Sequence, residues 1–284
     1  MGVLPECTSF AGRALDKPRP GGHLRRCRSC SLVFRDPIAN LEVYEALYAQ
    51  APSTVWSSAR SRGDQALVSE LIVGHAPGVM DVLDIGCYSG SLLQTLGTRI
   101  RKYGVEPSTA AAAVAQSNGI ELIGQTMRDL DQIAQKFDVV VAVDVIEHVP
   151  QPAEFLLRML ELTRPGGLIV VSTGNADAWS WRLAGTAYWY TELFEHISFI
   201  SSSWVEKFAV QHGVQLESVR RFSYYDESRR GRWWIRVQYC IAALKTVLRL
   251  WLAHVQGRAA MPPRWLMGEA GLFADHFVFT LRRP

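Results

Sequence analysis

An acidic residue, Asp84, and the glycine-rich turn at 86–90 are the residues best suited to chemistry in this chain of 284 residues. The apolar run Val82–Ile85 is typical of a buried strand, and a helical pattern begins at Ser91. Gly86 can adopt backbone angles closed to other residues and lets a ligand lie against bare main chain. The N–H groups at the start of the helix point to the same place. The turn therefore predicts a site for a nucleotide-like cofactor.

A second carboxylate, Glu106, follows about twenty residues later, at the end of the next predicted strand. It could accept hydrogen bonds from both hydroxyls of a ribose. The alternative is a carboxylate that caps the helix beginning at Pro107. We favour the ribose because the glycine turn and the carboxylate occur together. A nicotinamide dinucleotide is disfavoured, because the turn lacks the G-x-G-x-x-G spacing and no second mononucleotide half is visible.

The glycine turn and Glu106 can form one site only if they lie at the same edge of a sheet, and the pattern of strands and helices along the chain predicts such a sheet. Strands are predicted at 79–85, 101–106, 120–123, 137–143, 168–173, 214–225 and 275–282. Helices are predicted at 41–49, 62–75, 89–97, 107–118, 152–163 and 201–212. Strands alternating with helices predict a doubly wound α/β sheet of seven strands, with ligands at the carboxyl ends of the strands. We expect a small irregular appendage at 1–40, a helical lead-in at 41–78 and the main domain at 79–284.

Composition narrows the class of protein. The chain is 48% hydrophobic and 20% charged, with a net charge of +3. Residues 220–284 carry 12 Lys and Arg against 4 Asp and Glu, so the basic charge is concentrated in the last part. The N-terminus lacks the pattern of a secretory signal, and five unevenly spaced cysteines do not suggest a disulfide framework. We therefore expect a cytoplasmic protein.

Four motifs, in order, make the chain resemble class I S-adenosylmethionine-dependent methyltransferases. They are Leu83-Asp84-Ile85-Gly86-Cys87 with Gly90, Gly104-Val105-Glu106-Pro107-Ser108, Phe137-Asp138-Val139-Val140 running into Asp144-Val145-Ile146-Glu147-His148-Val149, and Leu162-Thr163-Arg164-Pro165-Gly166-Gly167. The resemblance is strong over 79–222 and implies a Rossmann-like seven-stranded sheet with S-adenosylmethionine as cofactor. One departure is Tyr88, where the family usually has glycine; its side chain is expected to narrow the loop or to cover the cofactor.

The resemblance also implies a set of cofactor contacts. These residues are Asp84, Gly86, Cys87, Tyr88, Gly90, Glu106, Pro107, Met127, Arg128, Asp144 and Val145. Asp84 and Gly86 would face the methionine end of the cofactor, and Glu106 the ribose. Met127 and Arg128 would lie beside the adenine. Asp144, which follows the strand at 137–143, would lie on the acceptor side.

Methyl transfer to a hydroxyl needs a base as well as an aligned donor. His148 is one candidate, and the alternative is a structural histidine that caps the following loop. The segment 188–199 lies where the family builds its acceptor pocket, and it contains an aromatic cluster with Glu195 and His196. The alternative for this segment is an apolar lid that only excludes water. We favour a role in acceptor binding, in which His196 or Glu195 could supply the base, and His196 is preferred to His148.

Related methyltransferases of sugars and glycans contain a similar aromatic-Glu-His-aromatic-Ser stretch. The resemblance thus implies O-methylation of a sugar or glycan precursor, linked to a nucleotide or a lipid. One alternative is methylation of carbon, nitrogen or oxygen on a specialised small-molecule metabolite. Another, from a different class, is a non-catalytic binding protein built on the cofactor fold.

The N-terminal cysteines suggest a metal site. Cys27 and Cys30 have C-x-x-C spacing, which can hold zinc. The region resembles a methyltransferase subgroup whose N-terminal zinc knuckle has two such pairs. Here Cys7 is present, but Phe10 stands where its partner would be, so we expect zinc bound by a fourfold set of Cys7, His23, Cys27 and Cys30. The alternative is a degenerate knuckle that no longer holds metal.

A basic, tryptophan-rich insertion is predicted at 229–268. Its helical pattern at 237–255 has one narrow polar stripe, and Lys245 and Arg249 argue against a membrane-spanning helix. We favour a helix packed on its own domain or in a homodimer interface. The alternative is peripheral contact of 229–257 with the inner face of a membrane. Nucleic acid is not an expected partner, because the arginines lack a recognisable reading module.

Overall fold

The computed structural model describes residues 2–11, 13–52, 63–75, 78–178, 181, 185–222 and 274–284, together with 237, 240, 244, 248, 252 and 255. The strands are β1 (Gly2–Val3), β2 (Cys7–Phe10), β3 (Arg13–Arg19), β4 (His23–Arg26), β5 (Val33–Asp36), β6 (Met80–Ile85), β7 (Ile100–Val105), β8 (Glu121–Gly124), β9 (Phe137–Val143), β10 (Thr163–Gly174), β11 (Ser198–Phe199), β12 (Gln215–Phe222) and β13 (His276–Arg282). The α-helices whose two ends both lie among the described residues are α1 (Leu41–Ala49), α2 (Gly63–His75), α3 (Ser91–Thr95), α4 (Thr109–Ser117), α5 (Pro152–Leu162) and α6 (Ser202–His212).

The main sheet confirms the predicted fold class. Its seven strands have the order β12-β13-β10-β9-β6-β7-β8. All of them run parallel except β13, which pairs antiparallel with both β10 and β12. The valine-rich strand β9 lies beside the glycine-turn strand β6, as its burial on both faces requires. The carboxyl ends of β6, β7 and β9 therefore meet at one edge of the sheet.

Helices cover both faces of this sheet. On one face, α5 and α6 pack with side chains such as Phe155 and Trp204 against Ile85 and Val140. On the other face, α2 and α3 pack with side chains such as Ile72 and Leu93 against β6 and β9. Gly213 ends α6 in the left-handed conformation (φ 64°), as its position after the helix predicts. The two buried layers hold the strand ends rigidly under the loops that follow them.

The N-terminal appendage is not irregular as expected. It forms five short strands, and three of them, β1, β4 and β5, join β11 in a four-stranded sheet of order β1-β4-β5-β11. β11 belongs to the segment proposed to bind the acceptor, and Ser198 and Phe199 pair with Phe34 and Val33. The prediction was wrong because strands of two to seven residues have little alternation to detect, and the partner of β5 on one side, β11, lies more than 150 residues away in sequence.

The insertion is described at six positions only, and the basic stretch 229–236 lies outside the described residues. All six positions are helical. Four apolar ones, at spacings of three or four, are largely exposed: Leu244 (72%), Leu248 (56%), Leu252 (42%) and Val255 (65%). This face does not pack against the described part of the domain, whereas packing in a homodimer interface stays a prediction. No helix among the described residues is long and apolar enough to span a membrane.

An ion-pair network closes the opposite edge of the sheet, at the amino ends of the strands. The buried carboxylate of Asp81 accepts hydrogen bonds from Arg101 Nη2 (2.8 Å) and Arg164 Nη2 (2.7 Å). Arg164 also donates to Asp138 (2.6 Å). Although burial opposes it, the hydrogen bond from Arg101 lowers the pKa of Asp81. The network joins β6, β7, β9 and β10.

We expect the substitution D81N to lower the free energy of unfolding by about 1–2 kcal/mol at pH 7, because both arginines keep part of their solvation. A pKa lowered by folding contributes stability above the unfolded value of about 3.9. That contribution disappears as the pH falls through the folded pKa. Urea unfolding across pH should therefore show the two proteins converging below about pH 4. D131N is the control, since Asp131 is 79% exposed beside Arg158; equal stability of D81N and wild type at pH 7 would contradict the prediction.

Candidate active site

A cavity of about 1170 Å³ lies at the carboxyl ends of β6, β7 and β9. Helix α1 and the segment 189–196 form its other walls. A pocket for one drug-sized ligand is about 300–1,000 Å³. The cavity can therefore hold a cofactor together with an acceptor.

The glycine turn forms one wall of the cavity in the way its sequence predicts. Gly86 has a φ of 76°, and a Cβ atom there would lie 2.6 Å from Val145 Cγ2. Gly90 also has a positive φ (77°), but a side chain there would collide with Ile120, and Gly90 does not line the cavity. Gly90 therefore allows the turn to pack closely on Ile120, and its contact with the cofactor stays a prediction. Cys87 is buried in the turn and lines the cavity.

The two carboxylates of the cofactor wall are both buried. Glu106 accepts hydrogen bonds from the N–H groups of Tyr88 and Ser108, each at 2.8 Å. The helix-capping alternative is therefore partly correct, since Ser108 is the N-cap of α4. A carboxylate offers about four lone-pair sites, so acceptor capacity remains for ribose hydroxyls. Burial raises the pKa of Glu106 above its ordinary value, although the hydrogen bonds from the two N–H donors oppose this shift.

Tyr88 adopts a left-handed conformation (φ 51°), which is uncommon for a residue with a side chain. Its hydroxyl donates to the carbonyl oxygen of Pro52 (3.3 Å), just beyond α1. The side chain therefore bridges the glycine turn and the chain after α1 while lining the cavity. The backbone of Tyr88 therefore adopts the left-handed conformation that glycine adopts readily, although the residue here is a tyrosine.

The proposed adenine wall lies farther along the same edge. Met127 and Arg128 line the cavity from a 3₁₀ turn, and Arg128 forms an ion pair with Glu45 of α1 (3.3 Å). Pro107 also lines the cavity. Asp144 has a φ of 52° and lines the cavity directly after β9. Apart from Gly90, every residue predicted to contact the cofactor therefore lines this one cavity.

Two histidines meet on the acceptor side. His148 Nδ1 lies 2.9 Å from the carbonyl oxygen of Glu195, and His196 Nδ1 lies 2.9 Å from that of Tyr190. Because a carbonyl only accepts, each Nδ1 carries the proton, and the neutral ring presents Nε2 as an acceptor. Burial lowers the pKa of both rings, that of His196 well below its ordinary value. The ring centroids are 4.9 Å apart.

Glu147 is a member of this site that the sequence analysis did not select. Its carboxylate accepts hydrogen bonds from the hydroxyls of Tyr190 (2.5 Å) and Thr173 (2.9 Å). Burial, followed by the charge of Asp144, raises its pKa to about 7. Its position next to His148, a candidate base, was the signal in the sequence that could have identified it. The sequence does not show that Glu147 lies close to both His148 and His196, because His196 belongs to a different segment.

Comparison with known proteins assigns the family. A family model described as a methyltransferase domain matches residues 59–219, more than half of the chain. A ubiquinone biosynthesis O-methyltransferase of Leptothrix cholodnii is 30% identical over 196 residues, covering 62% of this chain and 82% of the relative. The chain belongs to the S-adenosylmethionine-dependent methyltransferases. A relative of the same name from Burkholderia pseudomallei is 29% identical over 174 residues, covering 55% of this methyltransferase and 73% of the relative.

Solved structures agree on the fold of this methyltransferase. The N-methyltransferase NodS from Bradyrhizobium japonicum, in complex with S-adenosyl-L-homocysteine, has a TM-score of 0.51 at 13% identity. The match covers 87% of this chain and all of NodS. A methyltransferase-like protein from Bacillus halodurans gives a TM-score of 0.50 at 17% identity, with coverage of 78% and 100%. At such identities the likeness concerns the fold alone.

The site fits S-adenosylmethionine on the structure's own evidence. Asp84 is buried, and its Oδ1 atom has no hydrogen-bond partner among the residues that the structure describes. Burial and the charge of Glu106 raise its pKa to about 8. A buried carboxylate oxygen without a partner is costly, so it is suited to a cationic amino group such as that of the methionine moiety. Asp84 and Gly86 would hold this end of the cofactor, and Glu106 the ribose.

The acceptor side of the methyltransferase is tied to the appendage by a buried cation, Arg35, which the sequence analysis missed. It is 2% exposed and donates to the carbonyl oxygens of Thr191 (2.8 Å), Leu193 (3.0 Å) and His196 (3.1 Å), and to that of Gly21. Glu195 adds a second tie, since its Oε1 accepts the N–H of Ala11 (3.0 Å). Glu195 thus has a structural role, while its Oε2 is buried and has no hydrogen-bond partner in the described part of the chain.

The predicted zinc ligands are not brought together. Cys7 is buried with its Sγ 3.7 Å from Arg35 Nη1, and His23 is exposed on β4. Cys27 and Cys30 are half-buried in the turn before β5. A hydrogen bond with Ser29 lowers the pKa of Cys27 to about 6. Among the described residues, the only three potential ligands whose atoms lie within 4.8 Å of one another are Glu147, His148 and His196. The fourfold cysteine–histidine set is therefore not assembled.

Proposed function

We propose that this methyltransferase methylates a hydroxyl group of its acceptor. The observation that carries the proposal is the pair of neutral imidazoles, His148 and His196, beside Glu147 on the acceptor side of the cavity. A hydroxyl is a poor nucleophile, whereas an amine would not need this concentration of proton-accepting and carboxylate groups. The O-methyltransferase names of the two relatives support the same reaction type.

We propose a sugar or glycan precursor as the first acceptor class. Tyr44, Tyr48, Trp189 and Tyr190 line the cavity and offer aromatic faces for stacking on a sugar ring. A phenolic hydroxyl is the second candidate, because aromatic walls suit an aromatic ring equally and the relatives are named for ubiquinone biosynthesis. The exposed apolar helix face at 244–255 supports a lipid-linked form of either acceptor. A cytoplasmic location stays a prediction.

When bound, S-adenosylmethionine supplies an electrophilic methyl group, so the chain's own residues mainly align, exclude water and assist loss of the hydroxyl proton. Helix α1 and the segment 189–196 enclose the acceptor. Tyr190 fixes His196 through its carbonyl oxygen and Glu147 through its hydroxyl. His196 and Glu147 are therefore both held by Tyr190, whereas His148 is held by the carbonyl oxygen of Glu195.

Incubation with a methyl-labelled cofactor and a panel of nucleotide sugars, lipid-linked sugars and catechols tests the reaction type. We expect the label on oxygen in one of these classes, identified by mass spectrometry and NMR. Transfer of the label only to nitrogen or carbon contradicts the proposal.

We expect H196N to reduce kcat about 10²–10⁴-fold, because the variant loses Nε2, while its amide can still donate to the Tyr190 carbonyl oxygen. The affinity for S-adenosylmethionine, measured by calorimetry, should be unchanged. H212N is the matched control, since His212 lies at the end of α6 outside this cavity. An unchanged kcat in H196N would remove His196 from the reaction.

A further inference from the structure

Three side chains on the acceptor side form a cluster with the composition of a metal site. Glu147, His148 and His196 each offer one ligand atom, and these atoms lie within 4.8 Å of one another. Two of the residues belong to the turn after β9, and the third belongs to the segment that leads into β11. The fold therefore brings them together from positions almost fifty residues apart.

Both imidazoles are oriented as metal ligands usually are. Such histidines donate one ring N–H to a carbonyl or carboxylate, which fixes the ring and leaves the other nitrogen for the ion. Here the carbonyl oxygens of Glu195 and Tyr190 accept from Nδ1, each at 2.9 Å. The neutral rings consequently present Nε2.

The carboxylate is supported in the same way. The hydroxyls of Tyr190 and Thr173 each donate to one oxygen of Glu147. Glu147 is 1% exposed, and no described Lys or Arg forms an ion pair with it. Hydroxyl donors only partly compensate a buried negative charge. A divalent cation would supply the missing compensation.

We propose that Glu147, His148 and His196 bind a divalent transition-metal ion, such as Zn²⁺, with coordination positions open to the acceptor hydroxyl. One carboxylate with two imidazoles is a ligand set of catalytic zinc sites, and imidazole favours first-row transition metals over Mg²⁺ or Ca²⁺. The inference rests on the proposed function and specifies how the hydroxyl is activated.

The ion would act as a Lewis acid that lowers the pKa of the acceptor hydroxyl. The hydroxyl proton passes to water, the oxygen forms a bond to the methyl carbon, and the carbon–sulfur bond breaks. The sulfonium sulfur becomes a neutral thioether, so charge balances. With the ion bound, both Nε2 lone pairs are used in coordination, and neither histidine takes the proton. A vicinal diol, present in sugars and in catechols, would supply two oxygens to the open positions.

Titration of the chelator-treated protein with Co²⁺, followed by its visible absorption, tests the site directly. The C27S/C30S variant serves as background, because the cysteine pair could itself bind Co²⁺. We expect one equivalent of Co²⁺ bound in this background, with affinity weakened at least about 100-fold by E147Q and by H196A. H212A is the matched control and should bind as tightly as the background protein. Calorimetry with S-adenosylmethionine shows that each variant is folded.

Failure of the inference and failure of the proposed function give different results. Absence of Co²⁺ binding in the C27S/C30S background, or binding unaffected by both E147Q and H196A, overturns the metal site. If chelator-treated protein then still methylates a hydroxyl, the proposed function stands with a histidine as base. Tight, Glu147-dependent binding of Co²⁺ supports the metal site even where the methylated atom proves not to be oxygen. Separate arms with nucleotide sugars and catechols identify the source of the diol.

Discussion

Replacing Glu106 by alanine is expected to weaken the binding of S-adenosylmethionine by at least about 100-fold, because hydrogen bonds to a charged group contribute about 1.5–3 kcal/mol each. The carboxylate accepts the N–H groups of Tyr88 and Ser108, so its removal loosens the glycine turn. It also removes the proposed acceptor of the ribose hydroxyls. Calorimetry with S-adenosylmethionine or S-adenosylhomocysteine measures the loss.

A second ligand separates the two roles of Glu106. An analogue lacking the ribose hydroxyls should bind wild type more weakly than the parent cofactor. E106A should bind the analogue and the parent cofactor about equally, because this variant no longer has the carboxylate that contacts the ribose hydroxyls. E121A is the control, because Glu121 is an exposed carboxylate at the start of β8. Equal discrimination by wild type and E106A would assign Glu106 to the turn alone.

The main domain was predictable because its signals are local. The buried run of β9 is predicted with the observed bounds, and α1 likewise, since an apolar or helical pattern and its end signals lie within a few residues. The glycine turn was equally local: its strand, positive-φ glycine and following helix are contiguous. The resemblance to the family then related Asp84 and Glu106 to the cofactor. Most of the cofactor wall thus follows from sequence.

The acceptor side was only partly predictable because its geometry is non-local. His148 and His196 could be selected, but they meet because the turn after β9 contacts the segment before β11, where the N–H of Ile197 donates to the carbonyl oxygen of Glu147 (2.9 Å). Glu147 was quoted only within the family motif, because the sequence does not show that the hydroxyls of Tyr190 and Thr173 bond to its carboxylate. Spacing suggested a zinc site at Cys27 and Cys30, but spacing does not show where the other ligands lie.

Arg35 is the clearest example of such non-local chemistry, and its replacement should have the largest effect on stability. R35M keeps the volume of the side chain but leaves the carbonyl oxygens of Gly21, Thr191, Leu193 and His196 without this donor. Buried acceptors that lose a partner cost about 1–3 kcal/mol each, and partial relaxation reduces the sum. We expect the free energy of unfolding to fall by about 3–5 kcal/mol, measured by urea denaturation.

The catalytic effect of R35M should be selective. Because Arg35 fixes the segment that carries His196, kcat should fall in the folded variant, while the affinity for S-adenosylmethionine stays near that of wild type. R35K should recover only part of the loss, since an ammonium cannot reproduce the planar fork that reaches several carbonyl oxygens. R25M is the matched control: Arg25 is on the neighbouring strand β4, half-exposed and paired with Asp36 (3.1 Å). A loss of stability in R35M no larger than that in R25M would show that the appendage does not position the acceptor side.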